Sequence, residues 1–539
     1  MPNKSQLTYK RSITWKYATL LIMTIFIISA CEDGVIDSNN SSPATIANFE
    51  SLANASNKGG PVNCANQVNN NIKKLLDCVT IDGVRRHQAA FQAIADANNG
   101  TRTAGSNGYD ESVEYIRNNL TEAGYQVETQ EFEFDAWYTV GTQLLEQMNP
   151  VATSYLYIVD FGVFTESSAG NVTASVTAVD LDLGLGNTST SGCEASDFAG
   201  FPAGGIALIQ RGACNFSVKA ENAAAAGASG VVIFNQGNIP EREGLIVGTL
   251  GQFYSGGIPV VGTTYALGVE WASTPDLVLS MEVNVFDGVS TTRNVFAELP
   301  GKNAGNVVMA GAHLDAVPAG PGINDNGSGS AAILETAIQM SKVKPQNTVR
   351  FAWWGAEELG LIGSNYYVNT LPFDELQKIA LYLNFDMIGS PNYVHFIYDG
   401  DNSEGFAFGG VAEAAAIEDV FEDFYSERGV PFKKTSPLIG SDQRAFYLSN
   451  IPVGGLFTGA GGIKTPEEAA IWGGTAGDQH DPCYHLACDT FDNVSLEALE
   501  LNSDAVANAI LNFAMNTSLI NGEKSKGNFK AKHEHHESE

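Results

Sequence analysis

Histidine and acidic side chains follow several apolar, strand-like runs in the second half of this chain. In a parallel α/β sheet, ligands gather outside the carboxyl ends of the strands, so residues at these positions share one edge. Two imidazoles and three carboxylates at such an edge suit a pair of zinc ions bridged by one carboxylate and a water. The residues that follow the runs are His313 with Asp315, then Asp325, Glu357 and Glu358, Asp386, and finally Tyr484 and His485.

Each of these residues alone has an ordinary structural explanation. His313 could be a hydrogen-bonded histidine of the core, and Asp386 could cap the N-terminus of a helix. The acidic pair at 357–358 could form a solvated first turn that the helix dipole stabilises, and residues 484–485 could lie in a surface loop. The recurrence of such residues at several strand ends favours a metal site over these separate explanations.

Apolar runs alternate with helical patterns from residue 290 onwards. Runs such as NVVMAGAHLD and IALYLNFDM are separated by helical stretches at 327–341, 403–427 and 495–515. This alternation predicts an α/β domain with a mixed, largely parallel central sheet flanked by helices. Residues 80–150 carry two helical patterns followed by the alternating run YQVETQEFEF, which predicts a strand.

Residues 151–289 have a different character and are richer in Val, Thr, Gly and short strands. Within them, residues 204–236 predict a strand, a turn, an alanine-rich helix and a second strand. Through ALIQRGACNFSVKAENAAAAGASGVVIFN, this segment resembles the protease-associated domain, an insert of many secreted peptidases. The segment carries no catalytic constellation, so a role as lid or spacer explains it as well as substrate recognition does. The resemblance implies a disulfide between Cys193 and Cys214.

Longer motifs resemble those of the co-catalytic di-zinc aminopeptidases of metallopeptidase family twenty-eight, most closely secreted bacterial leucine aminopeptidases. The motifs are HLDAV…GINDNGSGSAAILE, FAWWGAEELGLIGSNYYV, LNFDMIGSP and WGGTAG…DPCYH…CDT, and they stand in the family's order. The similarity covers about 80–150 and 290–517, which we expect to form one peptidase domain interrupted by the insert. The resemblance implies an enzyme that removes N-terminal, apolar residues from peptide substrates.

The same resemblance implies a ligand set for two zinc ions per chain. His313 and Asp386 would bind one ion. Glu358 and His485 would bind the other, and Asp325 would bridge the two.

Further roles are implied for residues around these ligands. Glu357 matches the family's general base, which takes a proton from the metal-bridging water and passes it to the leaving amine. Tyr484 matches a residue that donates a hydrogen bond to the developing oxyanion. Asp315 lies where the family has a carboxylate that hydrogen-bonds the ligand imidazole. The peptide bond between Asp325 and Asn326 is expected to be cis, as it often is in the family.

The chain departs from the family in one loop near the site. Many relatives carry an RSDH-like sequence there, whose basic residue helps to hold the substrate. Here the loop reads IGSDQRAF, with Gly440 and Gln443 at the changed positions and with Asp442 and Arg444 retained. No zinc ligand is lost, so we expect activity to survive, while substrate contacts from this loop are not carried over.

Two other functions fit the predicted fold. A carboxypeptidase of the same superfamily would need a basic pocket for the substrate's α-carboxylate, and basic residues are scarce around these motifs. A non-catalytic, peptidase-like binding protein would have lost the zinc site, whereas all the implied ligands and Glu357 are present. The sequence therefore favours the aminopeptidase.

The chain of 539 residues is strongly acidic, with 29 basic and 61 acidic residues and a formal net charge of −32. A nucleic-acid-binding protein needs a basic face, so this balance argues against that class. Solubility outside the cell explains the acidity as a whole better than cation binding does. The length and the 44% hydrophobic content predict a large core and more than one domain.

The N-terminus has the features of an export signal. Lys10, Arg11 and Lys16 precede an apolar run at 18–30 that is too short for a comfortable membrane span. The run ends in ISAC, which resembles the lipobox of bacterial lipoproteins. We therefore expect Cys31 to carry lipid and to anchor the protein at a membrane of the cell envelope. An ordinary signal peptide, with secretion, and an uncleaved anchor are the alternatives.

The remaining segments complete the predicted organisation. Residues 1–31 are assigned to the lipoprotein-type signal peptide, 32–79 to a polar tether or pro-segment, and 518–539 to a disordered tail. Weak metal binding by the three histidines of the tail explains that segment less well than a solvated tail does. Of seven cysteines, lipidation of one leaves six, which suits disulfides in an oxidising compartment. The close pairs are Cys64 with Cys78, whose bonding is left open, Cys193 with Cys214, and Cys483 with Cys488.

Overall fold

Two eight-stranded sheets organise the computed structural model, which describes residues 64–251, 254–406, 412–438 and 440–523. The predicted signal peptide with Cys31, most of the predicted tether and the histidines of the predicted tail lie outside the described residues. In chain order the strands are β1 (Val127–Thr139), β2 (Leu144–Asn149), β3 (Thr153–Ser154), β4 (Phe161–Val163), β5 (Gly170–Val179), β6 (Ile206–Gln210), β7 (Gly230–Phe234), β8 (Val260–Thr263), β9 (Val278–Val283), β10 (Val285–Leu299), β11 (Asn303–His313), β12 (Asn347–Trp354), β13 (Ile379–Phe385), β14 (Phe396–Tyr398), β15 (Lys433–Thr435) and β16 (Val453–Phe457).

Helices surround and connect these strands. None of the helices in the described part of the chain is both long enough and apolar enough to cross a membrane. In chain order they are α1 (Ile72–Leu76), α2 (Ile81–Ala97), α3 (Asn107–Ala123), α4 (Phe216–Ala225), α5 (Tyr265–Ser273), α6 (Gly327–Met340), α7 (Ile362–Thr370), α8 (Phe373–Leu376), α9 (Ala415–Ser426), α10 (Gln443–Leu448), α11 (Pro466–Trp472), α12 (Leu496–Met515) and α13 (Ser518–Asn521), with short 3-10 turns at Cys64–Asn66, Ala195–Phe198, Pro240–Arg242 and Ala412–Ala414.

The first sheet has the order β1-β10-β12-β11-β13-β16-β14-β15. Its centre is parallel, because β11 pairs in parallel with β12 and β13, and β13 pairs in parallel with β16. Antiparallel pairs join β10 to β1 and β12, and β14 to β16. The predicted mixed, largely parallel sheet is confirmed, and strands from before and after the insert share it.

Helices cover both faces of this sheet. Every residue of the central strand β13 is buried, as expected for a parallel strand with helices on each side. Residues of α2, α6 and α12 pack in the main apolar core on one face, and residues of α7 and α10 pack on the other. Helix α6 begins very close to β13, since a Cβ on Gly329 would lie 2.0 Å from the carbonyl oxygen of Phe385. The small residue at 329 therefore lets the start of α6 approach the carboxyl end of β13.

The second sheet has the order β3-β2-β9-β5-β6-β7-β8-β4. The strand–helix–strand unit predicted within 204–236 is present as β6, α4 and β7. The second sheet begins at Leu144 rather than at 151, because β2 pairs with β9 and not with β1. Strand β10 begins at Val285, so the predicted end of the insert at 289 falls inside a strand of the first sheet.

The ordered peptidase fold extends beyond both predicted ends. The segment predicted as a tether ends in α1, whose Leu75 is fully buried, and Cys64 is bonded to Cys78. The segment predicted as a disordered tail begins with α13, whose Ile520 is buried. Both predictions are wrong at these positions because the two side chains belong to the main apolar core.

Helix α12 carries a half-buried acid, Asp504, within this core region. Burial raises the pKa of Asp504 to about 7, and the charges of Glu500 and Asp77 act in the same direction while Arg428 opposes them. The folded protein therefore binds this proton more tightly than the unfolded chain does. The resulting stability is fully present below the unfolded pKa, near pH 4, and is lost as the pH rises through 7.

We expect Asp504→Asn to stabilise the protein at pH 8, because the neutral amide avoids a buried charge. The gain should be about 1–3 kcal/mol, since one pKa unit corresponds to about 1.4 kcal/mol. It should shrink steadily as the pH is lowered towards 4, which denaturant unfolding at several pH values would measure. The exposed Asp478→Asn is the matched control for the loss of one negative charge. A gain that does not vary with pH would contradict the assignment.

Candidate metal centre

Strand β11 and helix α6 bring the first two predicted ligands together. Strand β11 ends at His313, whose side chain is buried, and α6 begins directly after Asn326, whose side chain accepts a hydrogen bond from the Gly329 backbone. His313 Nε2 lies 3.2 Å from Asp325 Oδ1 and 3.3 Å from Asp386 Oδ1. The peptide bond between Asp325 and Asn326 is cis, as predicted.

The second imidazole lies on the other side of Asp325. His485 Nε2 is 3.4 Å from Asp325 Oδ2 and 3.0 Å from Glu358 Oε2. Each oxygen of the Asp325 carboxylate therefore faces a different imidazole. This is the arrangement required of a carboxylate that bridges two metal ions.

The ligand atoms fall into two groups that share His313. In one group the donor atoms of His313, Asp325 and Glu358 lie within 4.8 Å of one another, and in the other those of His313, Glu357 and Asp386 do. Glu357 Oε2 is 3.9 Å from His313 Nε2. The predicted ligands and the predicted general base are thus all brought to one place.

A third acidic group in the described residues has a different character. Asp399, Asp401 and Glu418 also place donor atoms within 4.8 Å of one another. Lys434 contacts Glu418 directly and places its Nζ 3.2 Å from Glu422 Oε1. A lysine therefore already forms ion pairs with this group.

Burial and mutual charge control the protonation of the two histidines. Burial disfavours the charged form of His313, but Asp386 and Glu357 outweigh this and raise its pKa well above the ordinary value. Burial also opposes the charging of His485, but Asp325 and Glu358 raise its pKa to about 10. The surrounding carboxylates therefore favour the cationic form of both imidazoles.

The carboxylates respond in opposite directions. Burial would raise the pKa of Asp325, but hydrogen bonds with His313 and His485 hold it well below the ordinary value. Burial, reinforced by the charge of Asp325, raises the pKa of Glu358 to about 7. Burial also raises the pKa of Glu357 well above the ordinary value. The site therefore holds more acidic groups than its two imidazoles can pair with, and the raised pKa values of Glu357 and Glu358 show that protons take up part of the difference.

The donor set fits zinc. A buried charge is costly unless it is paired or binds a metal, and Glu358 Oε1 is buried without a hydrogen-bond partner. Imidazole nitrogens and carboxylate oxygens are ordinary zinc ligands. The fit of zinc to this site therefore rests on the unpartnered buried oxygen of Glu358 and on the surplus of acidic groups.

Asp315 lies beside His313 and also makes contacts that the sequence did not predict. Its carboxylate oxygen lies 3.7 Å from His313 Nδ1, and this nitrogen instead lies 3.1 Å from the Asp315 backbone carbonyl oxygen. The carboxylate accepts hydrogen bonds from the backbone N–H groups of Glu357 and Glu358. Asp315 thus orients His313 through its main chain and holds the turn after β12 through its side chain.

Sequence reasoning missed Asp489 and Asp481. The Asp489 carboxylate accepts from the backbone N–H groups of Asn324 and Asp325, and Asp481 accepts from Asn324 Nδ2 and from the Cys483 backbone. These two acids flank the Cys483–Cys488 segment, a position that gives no hint of N–H donors far away along the chain. They fix the loop that carries the central carboxylate.

The predicted disulfides are present. Cys193 is bonded to Cys214, and Cys483 to Cys488, in addition to the Cys64–Cys78 bond. Between Cys483 and Cys488, the rings of Tyr484 and His485 stack with centroids 3.8 Å apart. The small disulfide loop therefore presents both side chains to the site together.

Backbone strain concentrates beside the site residues. Ala356, Met387 and His485 have φ values of 57°, 52° and 58°, in the left-handed region that such residues seldom adopt. The first two are the neighbours of Glu357 and Asp386. Strain of this kind persists where the surroundings enforce it, and it often marks functional sites.

The loop that departs from the family also reaches the site. Ser441 Oγ donates to Asp386 Oδ2, and Asp442 forms the N-cap of α10. Gln443 is buried and donates to the Pro437 carbonyl oxygen, whereas Arg444 is exposed. A Cβ on Gly440 would meet nothing within 4 Å.

A set of imidazoles and mostly buried carboxylates at the carboxyl edge of a parallel sheet is typical of a zinc-dependent hydrolase. Residues 294–510 match the model of peptidase family M28, and residues 172–271 match the PA domain. The chain is 51% identical to an aminopeptidase of Pseudomonas aeruginosa, covering 84% of each chain. It is 39% identical to leucine aminopeptidase 2 of Trichophyton rubrum, covering 82% of this chain and 84% of that one.

A probable lipoprotein aminopeptidase of Mycobacterium tuberculosis is 41% identical, covering 83% of this chain and 88% of that one. Among solved structures, BSAP, a zinc aminopeptidase from Bacillus subtilis, superposes with a TM-score of 0.58 at 25% identity, covering 80% of this chain and 94% of that one. The chain therefore belongs to peptidase family M28, with a PA domain inserted, and it is a zinc-dependent aminopeptidase. The carboxypeptidase and non-catalytic alternatives are not supported.

Proposed function

We propose that this aminopeptidase uses two zinc ions that share Asp325. The observation that carries this proposal is that each Asp325 oxygen faces a different imidazole, at 3.2 Å and 3.4 Å. His313 and Asp386 complete one site, and Glu358 and His485 complete the other. When bound, zinc ions acidify a water molecule and polarise the scissile carbonyl.

Glu357 is assigned the transfer of the proton. Its carboxylate is buried within the site. The carboxylates that pair with His485 are those of Asp325 and Glu358, so Glu357 is not engaged by this imidazole. A carboxylate in that position accepts a proton from the attacking water and delivers it to the leaving amine. Asp315, which accepts from the Glu357 backbone N–H, holds the turn that carries Glu357.

Tyr484 is assigned the stabilisation of the carbonyl oxygen. Burial, reinforced by the charges of Asp325 and Glu358, raises the pKa of Tyr484 far above the ordinary value, so the phenol keeps its proton. A hydroxyl that stays protonated donates a hydrogen bond to an oxygen that becomes negative in the transition state. The stacking on His485 and the adjoining disulfide limit the motion of the ring.

We expect Glu357→Ala to fold and to bind about two zinc ions, while turnover falls roughly 10²–10⁴-fold through the loss of general acid–base catalysis. Glu358→Ala should lose zinc from one site, and excess zinc should restore part of its activity. Elemental analysis and kinetics of both variants beside the wild type would measure this. If Glu357→Ala loses metal and Glu358→Ala keeps it, the two roles are reversed. Zinc-free wild type that zinc does not activate would contradict the whole proposal.

The substrates are proposed to be peptides with a free N-terminus and an apolar first residue. The name of the Trichophyton relative, a leucine aminopeptidase, supports this preference. One methylene group of a substrate in an apolar pocket changes the ratio of kcat/KM values between two substrates by about 10–200-fold. The side chain of the first residue should therefore strongly affect kcat/KM.

Among aminoacyl p-nitroanilides, the leucine compound should therefore exceed the glycine compound in kcat/KM by at least about 10-fold. Nα-acetylation of the leucine compound should abolish hydrolysis, because the free amine is part of what the enzyme recognises. A glutamate or lysine anilide as the best substrate would overturn the apolar preference. Equal hydrolysis of the acetylated compound would overturn the exopeptidase mode.

Export and lipid anchoring are proposed together. Disulfides such as the three in this chain persist in oxidising compartments, and the mycobacterial relative is named a lipoprotein. The sequence ISAC then supplies Cys31 as the lipidation site. The PA insert is proposed separately to act as a lid, a spacer or a substrate-binding element.

We expect Cys31→Ser to remove the protein from the membrane fraction of expressing cells, because the acyl chains provide the anchor. Incorporation of labelled fatty acid should occur in the wild type and not in the variant. Equal labelling of both proteins, or membrane retention of the variant, would contradict lipidation at this residue.

A further inference from the structure

We propose that the PA insert carries a binding site for the C-terminal carboxylate of an apolar peptide, built around Arg211 and Arg242. Both residues lie within the part of the chain that matches the PA domain. The inference goes beyond the zinc chemistry proposed above and does not depend on it, because the site lies on the second sheet.

The two arginines lie at the carboxyl edge of the parallel part of this sheet. Strand β7 pairs in parallel with β6 and β8, and Arg211 follows directly after β6. Arg242 ends the 3-10 turn Pro240–Arg242 in the loop that leaves β7. In open α/β sheets, ligands gather outside the carboxyl ends of the strands. The insert therefore presents two guanidinium groups at the edge where such sheets bind ligands.

Two amide side chains that follow β7 hold these guanidinium groups. Asn235 Oδ1 accepts from Arg211 Nη1 at 3.2 Å, and Gln236 Oε1 accepts from Arg242 Nη1 at 2.6 Å. The NH₂ groups of the two amides are used elsewhere, on a backbone carbonyl oxygen and on Asn187. Because both amides are buried and their NH₂ groups are occupied, their oxygens face the arginines. Two consecutive residues thus bring the two guanidinium groups to one place.

No acid balances the positive charge of this pair. Among the residues that the structure describes, neither Arg211 nor Arg242 forms an ion pair with a carboxylate, and the neighbouring Glu241 and Glu243 are exposed. Burial, reinforced by the charge of Arg242, lowers the pKa of Arg211. Four other arginines do pair with acids, namely Arg86, Arg117, Arg293 and Arg350. In a chain with 61 acidic and 29 basic residues, two adjacent arginines without an acid favour an anionic ligand.

Exposed apolar side chains border the same edge of the sheet. Leu183 and Leu185 are 44% and 77% exposed. Their loop is fastened to the loop after β7, because Asn187 Nδ2 donates to the carbonyl oxygens of Gly184 and Gln236. The leucines therefore lie beside the arginines, and the surface is complementary to an apolar side chain that stands next to a carboxylate.

The C-terminus of a peptide combines these two features. A guanidinium group has five N–H donors, of which an amide oxygen takes one here, and it binds a carboxylate through two parallel hydrogen bonds. An inorganic anion would use the arginines but not the leucines. The net charge of −32 repels carboxylates from the protein as a whole, so a local cationic pair is needed to hold one. An aminopeptidase also leaves the C-terminus of its substrate unchanged, so the same group stays available after each cleavage.

The test is calorimetric titration of the whole protein with an Nα-acetylated tetrapeptide of alanine that ends in leucine. We expect the peptide with a free carboxylate to bind about 10–100-fold more tightly than the same peptide with a C-terminal amide, because hydrogen bonds to a charged group are lost. Arg211→Gln and Arg242→Gln should each remove most of this difference. Arg117→Gln should keep it, because Arg117 lies on α3 and pairs there with Glu114.

Two further arms separate the sources of the binding. Leu185→Ser should weaken binding of the peptide and leave binding of acetate unchanged. Arg211→Lys and Arg242→Lys keep the charge without the planar donors, so each should lose part of the preference for the carboxylate, which decides the case if a glutamine variant does not fold.

Equal binding of the two peptides to the wild type would overturn the proposal without any variant. Acetate that binds as tightly as the peptide, or a preference that survives in all the arginine variants, would overturn it as well. Because the acetylated peptide has no free amine to be recognised for cleavage and its titration does not measure zinc, failure here is distinct from failure of the zinc assignment.

Discussion

The arrangement of Asp325 between two imidazoles is the constraint on which the rest of the structure depends. Burying several carboxylates in one place is unfavourable unless cations accompany them. The chain therefore needs elements that converge at one point from different directions. The carboxyl ends of β11, β12 and β13 supply that point, and the disulfide loop at 483–488 adds the second histidine.

Convergence alone does not hold the loops, because their backbone groups also need partners. Asp315 accepts two N–H groups of the turn after β12, and Asp489 accepts two of the loop before α6. Arg102 satisfies carbonyl groups instead, and it donates to Leu314, Pro321 and Gly322. Arg102 precedes the insert in the chain. The first part of the peptidase domain therefore helps to hold the loop between β11 and α6, which belongs to the second part and carries Asp325.

The sequence could predict that His313, Glu357, Glu358 and Asp386 share one edge of the sheet because each ends or follows an apolar strand, and that pattern is local. The parallel sheet and the α/β unit of the insert were predictable for the same reason. The roles of Asp489, Ser441 and Arg102 could not be predicted from the sequence, because their partners are mostly backbone groups or lie far away along the chain. The backbone partners of Asp315 were likewise not predictable, since its carboxylate accepts from two N–H groups about forty residues further along the chain. The tether and tail predictions failed where single side chains, Leu75 and Ile520, reach the core.

The position of the insert explains how the chain carries a second sheet without disturbing the first. The insert lies between β1 and β10, which pair antiparallel from Val127 with Ala297 to Thr139 with Val285. This long two-stranded ribbon continues into the second sheet, and Trp137 on it donates to the Ser167 carbonyl within the insert. Strand β10 contacts the parallel centre of the first sheet through β12, where Val295 lies opposite Trp353. None of the proposed zinc ligands lies on β10. All the proposed zinc ligands therefore come from β11 onwards, so an insertion at the antiparallel edge leaves the strand ends that hold them in register.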